Sequence, residues 1–254
     1  MRFLIGSVVV LVSGIVIFAV SPDTRTLEQQ IDDILECVRE LLASGLPDQG
    51  FPSFNPLELS SSSVDLSALG VDGLSGRVTV EDLHLAGVPD FKQSNINATI
   101  GAIPPGYTIQ LTLTFPLTSV KTKYDIDVSY SPSNRHVYGA GEFALEAVNA
   151  IADLDLAITF LSGIAISKFE LWVGLEGLNS FSLTGLYNDD EYSAQLVETV
   201  LADPNGVVAS YAQAIHDIAS DVVISAVDNG ALEGDGLLPA IMHRCTNISR
   251  TEIL

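Results

Sequence analysis

The feature that most limits what this chain can become is a long region of apolar–polar alternation. Tyr107, Ile109, Leu111, Leu113 and Phe115 alternate with Thr108, Gln110, Thr112 and Thr114. Val120, Thr122, Tyr124, Ile126, Val128 and Tyr130 alternate with Lys121, Lys123, Asp125, Asp127 and Ser129. Leu154, Leu156, Ile158 and Phe160 continue the pattern, and Phe169, Leu171, Val173 and Leu175 form a further set. A period of two sends successive side chains to opposite faces of a strand. The region from about Leu74 to Tyr187 therefore predicts long strands in an antiparallel sheet with one wet face. Between Val78 and Leu85 the apolar parity flips near Glu81-Asp82, which predicts a bulge or sharp bend. Strands of this length also predict strong curvature.

Helical periodicity flanks the alternating region. From Thr26 to Ala43 the apolar residues Leu27, Ile31, Ile34, Val38 and Leu41 recur at helical spacing, and Gly45 and Pro47 end the pattern. The Pro- and Gly-rich run that follows predicts extended or turned chain, and Ser60 to Ser63 read as a loop. After Asn188 the helical period returns, with Asp189, Asp190 and Glu191 where carboxylates suit the helix dipole. Leu196 and Val200 share a face. Asp203-Pro204 predicts a break, with Asp203 as N-cap. Val208, Tyr211, Ile215, Ile218, Val222 and Ala226 then form one stripe up to Asp228, before Gly230. The fold class expected is α+β: a long helix wrapped by a highly curved antiparallel sheet, preceded by an N-terminal amphipathic helix. Such a wrap tends to leave an elongated apolar space, which is a candidate ligand site.

Charge and hydropathy narrow the function. The chain has 32 acidic and 11 basic residues, a formal net charge of −21, with 47% hydrophobic residues. That balance argues against a nucleic-acid partner and against attraction to anionic membranes. The hydrophobic content argues against disorder. Part of the mean hydropathy of +0.36 lies in Phe3 to Val20, which follows the basic Arg2 and precedes small residues at Ala19 and Ser21. This is the pattern of a signal peptide spanning 1–21, leaving one domain over 22–254. A membrane anchor is the alternative, but no basic cluster follows, so no stable membrane insertion is expected after cleavage. Secretion fits the two cysteines, Cys37 and Cys245, which either pair or stand as two buried thiols. It also fits two glycosylation sequons, at Asn97 and Asn247.

No catalytic constellation stands out, so the chain is read as a non-enzyme without metal or cofactor. His84, His136, His216 and His243 accompany no nucleophile elbow. His84 lies on the face opposite Leu83 and Leu85, which predicts a solvated ring. His216 has Ser220, not a ligand, four residues on, which argues against a metal site. Gly139-Ala140-Gly141-Glu142-Phe143-Ala144 nominally fits a dinucleotide pattern, yet it opens a strand rather than a helix. The pairs Asp125 and Asp127, and Asp153 and Asp155, read as solvated strand faces. Candidates to line a ligand pocket are Phe115, Tyr124, Tyr130, Phe143, Phe160, Phe169, Tyr211 and Ile215. Trp172 shares the face of Lys168 and Glu170, so a rim or surface position is expected.

Several segments, taken in order, resemble the takeout / haemolymph juvenile-hormone-binding protein family of insects. These are Cys37 to Leu42, the run from Gly45 to Leu57, Val80 to Gly87, Phe115 to Ile126, and Tyr138 to Phe143. The family's second N-terminal cysteine is absent here, and Asn55 stands where the family usually has Asp. The resemblance implies a tubular lipid-binding (TULIP) fold with a hydrophobic tunnel. It implies a secreted carrier for a juvenile-hormone-like terpenoid or a fatty-acyl lipid, with that small hydrophobic ligand as its partner. The alternative is a mite group 5/7 allergen-like lipid or partner binder without a dedicated hormone. A side-chain-filled structural protein and a secreted hydrolase are the more distant readings.

Overall fold

The computed structural model describes residues 26–69, 73–102, 105–131, 134–159, 165–228 and 244–245. Thr26 opens the first helix, α1 (Leu27–Ser44), through a capping box. The Thr26 hydroxyl accepts from the Gln29 amide, and the Gln29 side chain accepts from the Thr26 amide. Gly45, at φ 71°, ends the helix as expected. The predicted apolar face is buried, with Ile31, Ile34, Val38 and Leu41 all at 2% exposure or less. The Pro/Gly run then folds back in a tight turn, and Leu46 and Phe51 exchange backbone hydrogen bonds. This seats Phe51 and Phe54, whose rings lie 5.4 Å apart, in the core.

Six strands follow: β1 (Leu57–Asp65), β2 (Leu74–Ala86), β3 (Lys92–Ala102), β4 (Pro105–Tyr130), β5 (Arg135–Thr159) and β6 (Ala165–Leu183). All pairings are antiparallel, in the order β1-β2-β4-β5-β6, with β3 also on β4. At 26 residues, β4 is long enough to pair β3 along its first half and β2 along its second. The serines expected as a loop are strand. Ser61, Ser62 and Ser63 pair with Glu81, Val80 and Thr79. Backbone pairing to β2 overrides their weak strand preference, and the Thr79 hydroxyl donates to that of Ser63 at 3.1 Å. The parity flip in β2 is a bulge, as predicted: the register shifts between Glu81 and His84, and Asp82 has φ 50°.

The β4–β5 register is continuous, with Ile109 opposite Leu156, Leu111 opposite Leu154, Val120 opposite Leu145, and Val128 opposite Val137. The apolar residues of β4 are odd-numbered up to Leu117 and even-numbered from Val120. Because no bulge intervenes, the apolar face changes side in mid-ribbon. The near half of the ribbon (105–115 with 150–159) is apolar on one face. The far half (120–130 with 135–145) is apolar on the other. In β6 the change is made by a register shift: Leu175 stands opposite Ala150, and Phe181 opposite Leu145.

Two helices follow the sheet, α2 (Asp190–Ala202) and α3 (Pro204–Asp228). Their junction is the predicted break. The Asp203 side chain accepts from the Gly206 amide at 2.9 Å. Along β5, Arg135 lies nineteen residues from Leu154, a span of roughly 60 Å in a straight strand. Yet the Arg135 guanidinium sits 5.6 Å from the Tyr211 ring on α3. Five residues further along α3, His216 Nδ1 accepts the amide of Leu171, the strand partner of Leu154. The sheet therefore curls around α3, the expected α+β wrap.

The stripe expected on α3 is corrected in part. Tyr211 is 47% and Ile215 38% exposed, whereas Ala212 and Val223 are buried. Ile218 packs on the core as expected. Tyr211 instead faces the far end of β5, where the Arg135 guanidinium lies over its ring. The side chains of Val222 and Ala226 lie outside the described set. Cys37 and Cys245 are joined by a disulfide with their Cα atoms 5.5 Å apart. This ties α1 to a point 208 residues along the chain.

Candidate functional site

The two halves of the ribbon differ in how well their apolar faces are covered. In the near half, Ile109, Leu111, Leu113, Leu154, Leu156, Ile158 and Phe169 are each 9% exposed or less. They pack with α1 in one continuous core. In the far half, Val120, Tyr124, Ile126, Val128, Tyr130, Phe143 and Leu145 are only half-buried. So are Val78 and Val80 of β2 and Phe181 and Leu183 of β6. Leaving that much apolar surface accessible is costly unless something else covers it. This far-half face is the candidate binding surface.

The predicted pocket residues separate along the same division. Tyr124, Tyr130 and Phe143 share the far-half apolar face by register. Phe143 meets Phe181 edge-on, with ring centroids 5.9 Å apart. Phe169 fills the near-half core and Phe115 packs against Phe91 at 6.0 Å. Both therefore serve the core rather than the candidate surface. Tyr211 and Ile215 lie exposed on α3. Phe160 lies outside the described residues, as do Asn247, His243 and the segment read as a signal peptide. Asn97 is exposed on β3.

Polar groups on this face are few and fixed by the fold. The Tyr124 hydroxyl donates to the carbonyl of Thr184 at 2.6 Å. Burial, and next the nearby Asp190 charge, push that phenol upward from its ordinary pKa, so it stays a neutral donor. Thr122 is buried, and its one hydroxyl proton is shared between the carbonyls of Glu81 and Lys123, at 2.9 and 2.8 Å. Among the described Lys and Arg residues, all are exposed except Arg39. Arg39 is committed to the Phe91 carbonyl at 3.1 Å and to the side chains of Glu36 and Gln93. No Lys or Arg is thus buried in the far-half face among these residues.

Three further features bear on the site. The free edge of β6 is covered by α3, where His216 and Asn205 accept the amides of Leu171 and Leu175. His216 is therefore a structural acceptor. At the far end, Gly139 and Gly141 allow a close backbone crossing. A Cβ at Gly139 would lie 2.3 Å from the Gly185 carbonyl, and one at Gly141 would lie 2.1 Å from that of Thr184. Beside this crossing Tyr138, Tyr187 and Tyr192 form an edge-to-face chain with centroids 5.3 and 5.2 Å apart. Sequence reasoning missed this cluster, whose members are scattered and lie outside the alternating sets. Among the described residues, no group of three or more His, Cys, Asp or Glu side chains is arranged to hold a metal. No helix among them is long and apolar enough to cross a membrane.

Known proteins share features with this chain. The family model described as haemolymph juvenile hormone binding protein matches residues 13–230. The crystal structure of Epiphyas postvittana Takeout 1 aligns over 76% of this chain and 88% of that chain, at 17% identity and a TM-score of 0.43. No curated protein sequence matches.

Proposed function

Since the chain belongs to the haemolymph juvenile hormone binding protein family, we propose that it is a secreted carrier that holds a small hydrophobic ligand against the far-half face. The observation that carries this reading is the contrast in burial. The near half buries Ile109, Leu111, Leu113, Leu154, Leu156, Ile158 and Phe169, with Leu171, Val173 and Leu175 partly accessible, while the apolar side chains of β4 and β5 in the far half stay partly accessible throughout. A bound hydrocarbon would gain about 0.8 kcal/mol per buried CH₂ before ordering costs. Secretion and removal of residues 1–21 belong to the same reading, supported by the leader pattern and the disulfide.

The electrostatics favour a neutral ligand. An ionised carboxylate carried into this wall meets no buried cation among the described residues and loses its hydration. An ester, epoxide or alcohol loses far less. A terpenoid ester is therefore the preferred class over an ionised fatty acid. The test is a competition titration on delipidated protein, with a fluorescent lipid displaced by a juvenile-hormone-like ester or by the matching free acid at neutral pH. Displacement by the ester at roughly tenfold lower concentration is expected, equivalent to about 1.4 kcal/mol. Failure of both to displace would remove the carrier reading. Preference for the acid would remove the neutral-ligand part.

A further inference from the structure

The outer, polar face of the near half carries a feature that lipid binding does not use. Trp172, the sole tryptophan of the chain, is 60% exposed there. It lines a groove of about 240 Å³ together with Asn95, Gln110, Thr112, Asp153 and Asp155. The groove floor is pre-organised. The Asn95 amide donates to the Thr112 hydroxyl at 3.2 Å, which donates to Asp153 at 2.6 Å. Gln110 and Lys168 donate to the same oxygen of Asp155 at 2.9 and 2.8 Å. The other Asp155 oxygen has no partner among the described residues. A flat aromatic face beside ordered amides and carboxylates suits a pyranose ring, which is apolar on its C–H faces and polar at its rim.

The register supplies the occupant. Asn97, the asparagine of the sequon Asn97-Ala98-Thr99, stands opposite Gln110 on β4, and Gln110 stands opposite Asp155 on β5. Asp153, two residues before Asp155, stands opposite Trp172 on β6. All these side chains therefore share one face. Asn97 and Trp172 are three strand spacings apart and offset by two residues along the strand, roughly 16 Å, a distance that the first few sugars of an N-linked chain span. The bulge between Ser94 and Asn97, with Asn95 at φ 54°, brings Asn95 onto Thr112 beside the sequon.

We propose that Asn97 is glycosylated and that the proximal sugars of its glycan lie across β4 and β5 and stack on Trp172. This rests on the secretory part of the functional reading, and it is independent of which lipid is carried. The stacked glycan covers the large exposed aromatic of this face and shields a strand surface that a second sheet would otherwise meet.

The lone tryptophan makes the test direct. The full chain is expressed in insect cells and recovered from the medium. Glycopeptide mass spectrometry then reads occupancy at Asn97 and Asn247, and acrylamide quenching reads the exposure of Trp172. The expected result is an occupied Asn97 and a quenching constant that rises when the glycan is trimmed to one sugar. The same rise is expected in Asn97→Gln, with Asn247→Gln unchanged as the control. Circular dichroism checks that each variant is folded. An unmodified Asn97 in a secreted protein carrying sugar at Asn247 would overturn this inference while leaving secretion standing. Occupied Asn97 with unchanged quenching after trimming would overturn the stacking. Failure to reach the medium would overturn this inference and the secretory reading together.

Discussion

At the scale of single residues, the backbone crossing at the far end makes the sharpest demand. Gly139 has φ 140°, and the nearest neighbour of an added methyl would be a carbonyl oxygen that cannot rotate away. Gly139→Ala is therefore expected to cost about 2 kcal/mol or more. Gly174 in β6 has open space where a methyl group would stand, so Gly174→Ala should change stability by less than about 0.5 kcal/mol. Urea unfolding of the two variants measures the contrast, and equal losses would contradict the crossing. Asp155 gives a prediction in pH. Burial pushes its carboxyl up, but hydrogen bonds from Lys168 and Gln110, with the Lys168 charge, outweigh this and hold it below the ordinary carboxylate value. A lowered folded-state pKa stabilises the fold above the unfolded value, and that contribution is lost as pH falls through the lowered one. Thermal melts from about pH 5 down to about pH 2 should therefore fall less steeply for Asp155→Asn than for the parent chain. Alternation alone places Asp155 with Asp153 on a solvated face. What it does not convey is that Lys168 and Gln110 converge on Asp155 from the neighbouring strands.

At the scale of elements, the half-strands are the meaningful units. Phe143 and Phe169 are both strand phenylalanines, and the same sequence pattern makes both pocket candidates. Their surroundings separate them. Phe169→Ala removes a ring from a filled core and is expected to cost about 3–5 kcal/mol. Phe143→Ala removes a half-buried ring from the accessible wall and should cost about 1–2 kcal/mol, while weakening lipid binding several-fold. Paired unfolding and ligand-displacement measurements test this, and a larger stability loss at Phe143 would count against a pocket there. Helix ends and strand parity are legible because caps and period-two patterns are local. Thr26, Asp203 and the bulge beside Asp82 all fall where local chemistry puts them. Ser60 to Ser63 are not legible, since their strand state comes from pairing with β2. Nor are Phe51 and Phe54, because a Pro/Gly-rich run gives no period from which to read burial.

At the scale of the whole molecule, the curl of the sheet and the disulfide set the architecture together. The wrap is legible as a need, because a long one-sided sheet and a long helix must bury their apolar surfaces. The change of apolar side in the β4–β5 ribbon is present in the sequence as the switch from odd to even positions between Leu117 and Val120. Its meaning requires the register, which shows that no bulge compensates for it. The same covalent strands run through a closed half and a loosely covered half, so the two need not come apart at the same free energy. Amide hydrogens of residues 106–115 should exchange with solvent only on global unfolding. Those of residues 120–130 should exchange through smaller openings, and a saturating lipid should slow them selectively. Mass-spectrometric hydrogen exchange would reveal uniform protection along β4 if this is wrong. If it holds, a ligand enters by breathing of one half of the curled sheet, while the other half keeps the strands in register for its return.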